Sequence, residues 1–291
     1  MHIREVRILQ SWSLGNQKPT TKRGVQLKHC HFLYALTAAC LTVMIATPAA
    51  AQFYVRQPDV EKGVLELEEH GAVYSGPGED EKLRQSHEIE GKYGLTDRTW
   101  LIVEGFLEQP VGESLKATEY EIGGQYEIVK REGDGFGLAF RTIYEATVDE
   151  PDELLFGPLM RYVRGRDSTT LNTFFVGQLG NKTEIDSLEF LYNWQLKHEI
   201  NHRISLGVEA FGQIEDLSHA GSFNDQLHRA GPVLYFNFGE GAEGYGEGES
   251  EESEHEQKSE APELKMAAGV LFGLTEATSD VTYKFDVELE F

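Results

Sequence analysis

Twelve stretches of this chain alternate apolar and polar side chains with a period of two, and that alternation constrains the fold more than any other feature. They are Val64–Val73, the weakest, then Ser86–Leu95, Thr99–Glu108, Leu115–Lys130, Phe136–Ala146, Leu154–Val163 and Thr169–Gln178. Leu188–His198, Arg203–Ile214, Leu227–Phe238, Leu264–Gly273 and Val281–Phe291 complete the set. Period two is the strand period, so each stretch presents one apolar and one polar face. Leu188, Phe190, Tyr192, Trp194 and Leu196 form one such stripe, with Glu189, Leu191, Asn193, Gln195 and Lys197 between them. An amphipathic helix needs apolar spacings of three and four, which these stretches do not show.

A soluble sandwich also alternates, so further features must choose the solvent. The stretches are close to the roughly 9–11 residues with which a tilted strand crosses a bilayer, and longer than the usual 5–6 of globular sheets. Aromatic residues stand near their ends (Tyr93, Trp100, Tyr144, Tyr162, Trp194, Tyr283), where interfacial girdles would lie. Short connections (95–98, 131–135, 165–167, 200–202) also alternate with longer ones (74–83, 109–114, 147–153, 179–186, 215–225). The expected fold is all-β: an antiparallel up-and-down transmembrane barrel of about twelve strands, with lipid as the solvent of its apolar face.

Residues 1–51 are read as a leader and signal peptide that is removed. Leu33–Ala46 is an apolar run preceded by Lys22, Arg23 and Lys28 and followed by small residues, with cleavage expected after Ala51. The run falls short of the roughly 20 residues of a spanning helix. The basic leader is long, so a translation start near Val25 stays open. Both cysteines, Cys30 and Cys40, lie in this piece, leaving residues 52–291 with no disulfide or thiolate chemistry. The piece carries six basic residues and one acid, so residues 52–291 hold 20 Lys and Arg against 48 Asp and Glu, a formal charge of −28. Nucleic acid is a poor partner for such a surface.

Residues 239–263 contain ten acids and one Lys among Gly and Ser, a composition that cannot bury a core, and are read as a disordered acidic insertion. Cation capture by its carboxylates with His255 is the weaker alternative, because no ordered ligand spacing is present. Ser86 and His87 are neighbours and so point to opposite faces of a strand. Ser218 and His219 lie in a connection where the sequence offers no evident acid partner, and Glu254-His255-Glu256 lacks the helical setting of a zinc site. No catalytic residue, metal ligand or cofactor is assigned, and an enzyme acting on lipid stands well behind the other readings.

Alternating strands, a cysteine-free barrel region and a last strand ending in Phe291 make the chain resemble Gram-negative outer-membrane β-barrels, porin-like or transporter-like. Lys92–Gly105 and the Gly-Leu-Thr-acid element at Gly273–Glu276 further resemble the barrels associated with meta-pathway phenol degradation. The resemblance implies export to the cell outer membrane, lipid as surroundings, and periplasmic chaperones and the barrel-insertion machinery as partners. It also implies that Tyr283, Phe285, Val287, Leu289 and Phe291 form the assembly signal.

With the apolar faces in lipid, the polar faces line the lumen. An acidic wall is expected from Glu66, Glu68, Glu88, Glu90, Glu104, Glu119, Glu121, Asp286 and Glu288, with Glu88 opposite Glu104. Arg141, Arg161, Lys197 and Arg229 are expected to form a basic wall. Acids and bases could interdigitate to plug the barrel, each buried charge tolerated because it is paired. Alternatively water fills the lumen, and the walls set up a field that passes small solutes, cations or polar solutes preferentially. Twelve strands lie between the eight whose interior side chains fill and the sixteen that leave an aqueous channel.

Two outcomes are expected. Phe291→Ala should lower the amount of protein recovered in outer-membrane fractions; unchanged recovery would overturn the assembly role. Asp286→Asn with Glu288→Gln should leave assembly intact while shifting ion preference, read as a reversal potential.

Overall fold

The computed structural model describes residues 53–76, 83–147, 152–179, 188–239 and 262–291. The leader and almost all of the acidic insertion lie outside these residues. Twelve antiparallel strands close into a barrel in chain order: β1 (Leu65–Ser75), β2 (Leu83–Thr96), β3 (Thr99–Pro110), β4 (Lys116–Val129), β5 (Gly135–Thr147), β6 (Asp152–Arg164), β7 (Asp167–Leu179), β8 (Leu188–Asn201), β9 (Ile204–Ile214), β10 (Leu227–Asn237), β11 (Glu263–Gly273) and β12 (Val281–Glu290). β12 pairs with β1 from Glu66↔Glu290 to Ser75↔Val281. Past the strand ends, Leu65 and Phe291 exchange both backbone hydrogen bonds at 2.9 and 3.2 Å. No sheet edge remains, which is what a spanning sheet requires when lipid offers its backbone no partner.

Connections 97–98, 130–134, 165–166 and 202–203 lie at one end of the barrel, hereafter the turn end. At the other end, the loop end, β1, β3, β5, β7, β9 and β11 finish and β2, β4, β6, β8, β10 and β12 begin, with 111–115, 215–226 and 274–280 as its described connections. The end of β10 and the start of β11, Asn237 and Glu263, lie at the turn end but are far apart in sequence. The two Gly-Leu-Thr-acid elements are not equivalent: 94–97 ends β2 at the turn end, whereas 273–276 follows β11 at the loop end.

Side chains alternate as the pleat dictates. Leu67, Ile89, Leu101, Val103, Tyr120, Ile122, Tyr126, Tyr144, Leu206 and Tyr283 are exposed on the outer face, whereas Glu68, Glu88, Glu90, Glu104, Glu121, Arg141, Glu209 and Lys284 are buried inside. A largely apolar outside, broken by polar residues such as the paired Glu69 and His87, around a charged inside is the reverse of a soluble protein and is the pattern of a transmembrane β-barrel. Trp100 departs from the girdle expectation. It is an inward residue of β3, buried, and its indole N–H donates to the carbonyl of Asp59 at 3.0 Å.

The register of β2 and β3 also differs from expectation. Glu90, not Glu88, faces Glu104, and Glu88 faces Phe106. Reading residues 95–98 as the turn misplaced the pairing; the turn is only Asp97-Arg98, and a bulge between Gly94 and Thr96 takes up the extra residue.

Residues 53–64 belong to no strand. They enter at the turn end, where the Gly63 N–H donates to the Gly94 carbonyl at 2.8 Å and the Gly94 N–H to the Val64 carbonyl at 3.0 Å. From there they run inside the barrel. Val60 and Val64 pack on Trp100, Ile102 and Ile143, and Val55 packs on Phe211 and Leu271. Phe53 meets Tyr74 and Phe211 edge-on at ring separations of 6.0 and 5.3 Å, in the loop-end half. Gly94 leaves no room for a side chain beside this segment, since a Cβ there would lie 1.9 Å from the Glu61 carbonyl oxygen. Gly94→Ala is therefore expected to push the segment off its entry point at a cost of about 1–3 kcal/mol. Faster hydrogen exchange at residues 60–64, with strand amides unchanged, would register it.

Candidate functional site: an occupied lumen

Buried inside a barrel, the backbone of residues 53–60 still needs hydrogen-bond partners. Amide side chains on the inward faces supply them. Asn172 on β7 brackets Arg56, accepting from its N–H at 2.8 Å and donating to its carbonyl at 2.9 Å. Asn193 on β8 donates to the Tyr54 carbonyl at 2.9 Å, and Gln125 on β4 donates to the carbonyls of Gln57 and Pro58 at 3.0 and 3.2 Å. Asn172, Asn193 and Gln125 are all buried. Asn172 and Asn193 are register partners on the adjacent strands β7 and β8, so their inward amides stand side by side on the wall.

Arg56 is the electrostatic centre. Its guanidinium bonds Glu88, bonds Glu104 at 3.1 Å and lies 3.7 Å from Glu90. Arg141 from β5 reaches Glu90 at 2.9 Å and Glu104 at 2.5 Å. Oxygens of Glu88, Glu90 and Glu104 converge to within 4.8 Å of one another. Three carboxylates that repel at this distance are held by two guanidiniums, one from the wall and one from the inserted segment. One step toward the turn end, Asp59 is held by Arg131 at 3.2 Å and Arg161 at 2.9 Å. Tyr54 stacks on His70 with ring centroids 3.7 Å apart.

The other acidic positions are interleaved with cations. Lys92 reaches Glu66 and Glu68 at 2.7 and 2.5 Å, and His70 lies 3.0 Å from Glu68 and 3.2 Å from Asp286. Lys284 bridges Glu209 and Asp286 at 2.6 and 3.0 Å, and Lys265 bridges Glu288 and Glu290 at 2.7 and 2.9 Å. Toward the loop end, oxygens of Glu119, Glu121 and Glu145 converge within 4.8 Å. Arg229 donates to Thr282 at 2.9 Å and lies 4.3 Å from the centre of the Phe53 ring. Lys197 sits 5.2 Å from the centre of the Tyr235 ring. Tyr283, Phe285, Val287 and Leu289 alternate with the inward Lys284, Asp286 and Glu288 on β12, with Tyr283 and Phe291 exposed.

Sequence reasoning missed residues 53–60, the interleaved Lys92 and Lys265, and the whole set of amides that hold the segment. A signal was present. Trp100, Ile102, Ile143, Phe106, Phe211 and Leu271 are apolar residues on otherwise polar faces, and apolar side chains in a lumen call for something to cover them.

Free volume remains at the turn end. A cavity of about 640 Å³ lies beside the segment, lined among others by Trp100, Arg161, Lys197, Tyr235, Lys265 and Glu288. A second, of about 360 Å³, shares Arg161, Lys197 and Asn237 with it. In the loop-end half the space around Arg56, Glu104, Glu121 and Arg141 shrinks to about 20 Å³.

The loop serine and histidine acquire an acid that the sequence did not reveal, since Asp216 accepts from the Ser218 hydroxyl at 2.6 Å and lies 2.9 Å from His219 Nδ1. Hydrogen bonds from the Ser218 hydroxyl, from His219 and from the Ser218 N–H hold the Asp216 carboxyl down at about 2. A catalytic triad uses opposite imidazole nitrogens for base and orienter, whereas here Ser218 and Asp216 both address Nδ1. The three residues form a local turn within a single exposed loop. Glu254-His255-Glu256 lies outside the described residues.

No family model matches the chain, and no curated protein matches it. Among solved structures it is similar to the NanC porin in a rhombohedral crystal form, at 7% identity and a TM-score of 0.49, covering 77% of this chain and 98% of that one. It is similar to the KdgM porin in complex with disordered oligogalacturonate at 7% identity and 0.44, covering 78% and 98%. The outer membrane protein Omp33 of Acinetobacter baumannii gives 10% identity and 0.41, covering 81% and 100%. At these values none carries a solute or a residue role to this chain.

Removing one partner of a buried ionic cluster typically costs about 3–5 kcal/mol. Arg56→Ala should destabilise the refolded barrel by about that amount in urea, and adding Glu88→Gln should recover part of the loss. Additive effects of the two substitutions would show that the cluster does not act as a unit. The closed twelve-strand wall, its apolar outside and its charged, partly filled inside make the molecule a transmembrane β-barrel.

Proposed function

We propose that the chain is an outer-membrane channel for small polar solutes whose lumen is closed in its resting state by residues 53–63. The observation that carries the reading is the cavity of about 640 Å³ beside the segment, lined largely by charged and polar side chains, against about 20 Å³ around Arg56, Glu104, Glu121 and Arg141. A barrel serving only as a scaffold gains nothing from a charged cavity of this size, because apolar filling would be at least as stable. The turn end is taken as periplasmic and the loop end as external, as in other barrels of this type. Glu66, Glu68, Glu88, Glu90, Glu104, Glu119, Glu121, Asp286 and Glu288 outnumber Arg141, Arg161, Lys197 and Arg229 along the wall. Once the segment shifts and removes Arg56, that excess favours cations and cationic solutes. Lipid on the outside, with export and insertion by the chaperones and machinery named above, completes the proposed setting.

A closed structural barrel is the rival, favoured by the apolar packing of Val55, Val60 and Val64 on the wall. Planar-bilayer recording separates the two. The full chain should show small or rare conductance steps, and Arg56→Ala should raise open probability at least tenfold with selectivity for cations. Silence from both proteins, each verified as folded barrel, would sink the channel reading.

A further inference from the structure

Resting on that channel reading, we infer that the pocket now filled by Arg56 selects the solute. It recognises a guanidinium carried on an extended peptide-like backbone, so that arginine-containing oligopeptides are the class that fits. The inserted segment then acts as a tethered occupant of a substrate site.

Three observations support this. The first is charge. Without Arg56, Glu90 and Glu104 keep Arg141 while Glu88 loses its guanidinium, so one guanidinium is left for three carboxylates. The second is the shape of the unmet demand. One guanidinium, that of Arg56, meets Glu88 and Glu104 together and lies 3.7 Å from Glu90, and even with it in place the buried Glu88, Glu90 and Glu104 each keep an oxygen, Oε2, Oε1 and Oε2, with acceptor capacity to spare. A planar guanidinium brings five N–H groups in a fixed fork, enough to address several carboxylates at once. An ammonium brings a compact charge with three donors, and a bare monovalent metal ion brings none.

The third observation is that the wall reads backbone and not sequence around the same point. Asn172 brackets the N–H and the carbonyl of residue 56, as a neighbouring strand would, while Asn193 and Gln125 take the carbonyls of residues 54, 57 and 58. These bonds survive any change of side chain in the occupant, so one arginine on an extended chain satisfies both the backbone rungs and the pocket. Competition with the tethered segment is unequal, because a tethered group is present at an effective concentration in the millimolar range. A free peptide therefore needs either high concentration or a weakened segment.

The test uses the full chain carrying Arg56→Ala, which empties the pocket, with Arg56→Lys as the milder alternative should the first fail to fold. Arginine amide should block its current, and should bind it in equilibrium dialysis, at concentrations at least tenfold below citrulline amide, which has the same shape without the charge. Lysine amide should fall between them. Acetyl-Tyr-Val-Arg-Gln-amide should bind more tightly than arginine amide, and Asn172→Ala should remove that advantage. Adding Glu104→Gln should bring arginine and citrulline amides within threefold of each other. Equal binding of arginine and citrulline amides to Arg56→Ala overturns the pocket, while a peptide advantage that survives Asn172→Ala overturns the backbone reading. If Arg56→Ala is silent in bilayers the channel reading falls, and dialysis still decides the pocket on its own.

Discussion

Three carboxylates buried at mid-height in a lipid-embedded barrel require more positive charge than the wall around them supplies. Glu88, Glu90 and Glu104 cannot reach bulk water, and their oxygens crowd within 4.8 Å. Burial of an unpaired carboxylate costs several kcal/mol, far more than a barrel of this size could spare three times over. Arg141 meets part of that demand, and Arg56 meets the rest from a segment outside the sheet. The course of residues 53–63 follows, because the guanidinium can be delivered only if the chain threads the lumen from Gly63 at the turn end.

Threading a backbone through a closed barrel creates a second demand, and the wall answers it with a different set of residues. Asn172, Asn193 and Gln125 serve the peptide groups, Trp100 serves the carbonyl of Asp59, and the apolar inward patches receive Val55, Val60 and Val64. Charge, backbone and apolar surface are thus matched separately along one short segment. Toward the turn end about 640 Å³ stays unfilled beside the segment, against about 20 Å³ around Arg56, Glu104, Glu121 and Arg141. That asymmetry separates this lumen from a uniformly packed interior.

Strand positions were legible because each records its solvent in a period of two, and lipid outside makes the apolar half unmistakable. All twelve stretches coincide with strands, to within a few residues at their ends. Parity along a strand was legible too, but it did not place every residue, since Trp100, read as an interfacial aromatic, faces inward on β3. Register across a turn was not, and the bulge at Gly94–Thr96 moved the partner of Glu104 from Glu88 to Glu90. The inserted segment was illegible for a more basic reason. It has no periodicity, and its position depends on residues from β2, β3, β4, β5, β7 and β8 that meet only after closure.

The inward apolar residues were the available clue, and they bear on how the segment can move. Val55 and Val60 bury modest surface, and each aliphatic side chain contributes about 1.5–3 kcal/mol when fully buried. The amide-to-backbone bonds contribute about 1 kcal/mol apiece, since water would replace them on release. Arg56 is different in kind, because its departure leaves the carboxylates uncompensated and the barrier to withdrawal is concentrated in one side chain. A segment held that way is released by whatever replaces one guanidinium, whereas a segment held evenly along its length would need many contacts to fail together. The energetics of the resting state therefore single out a cation arriving at Glu88, Glu90 and Glu104 as the event to which this lumen is most sensitive.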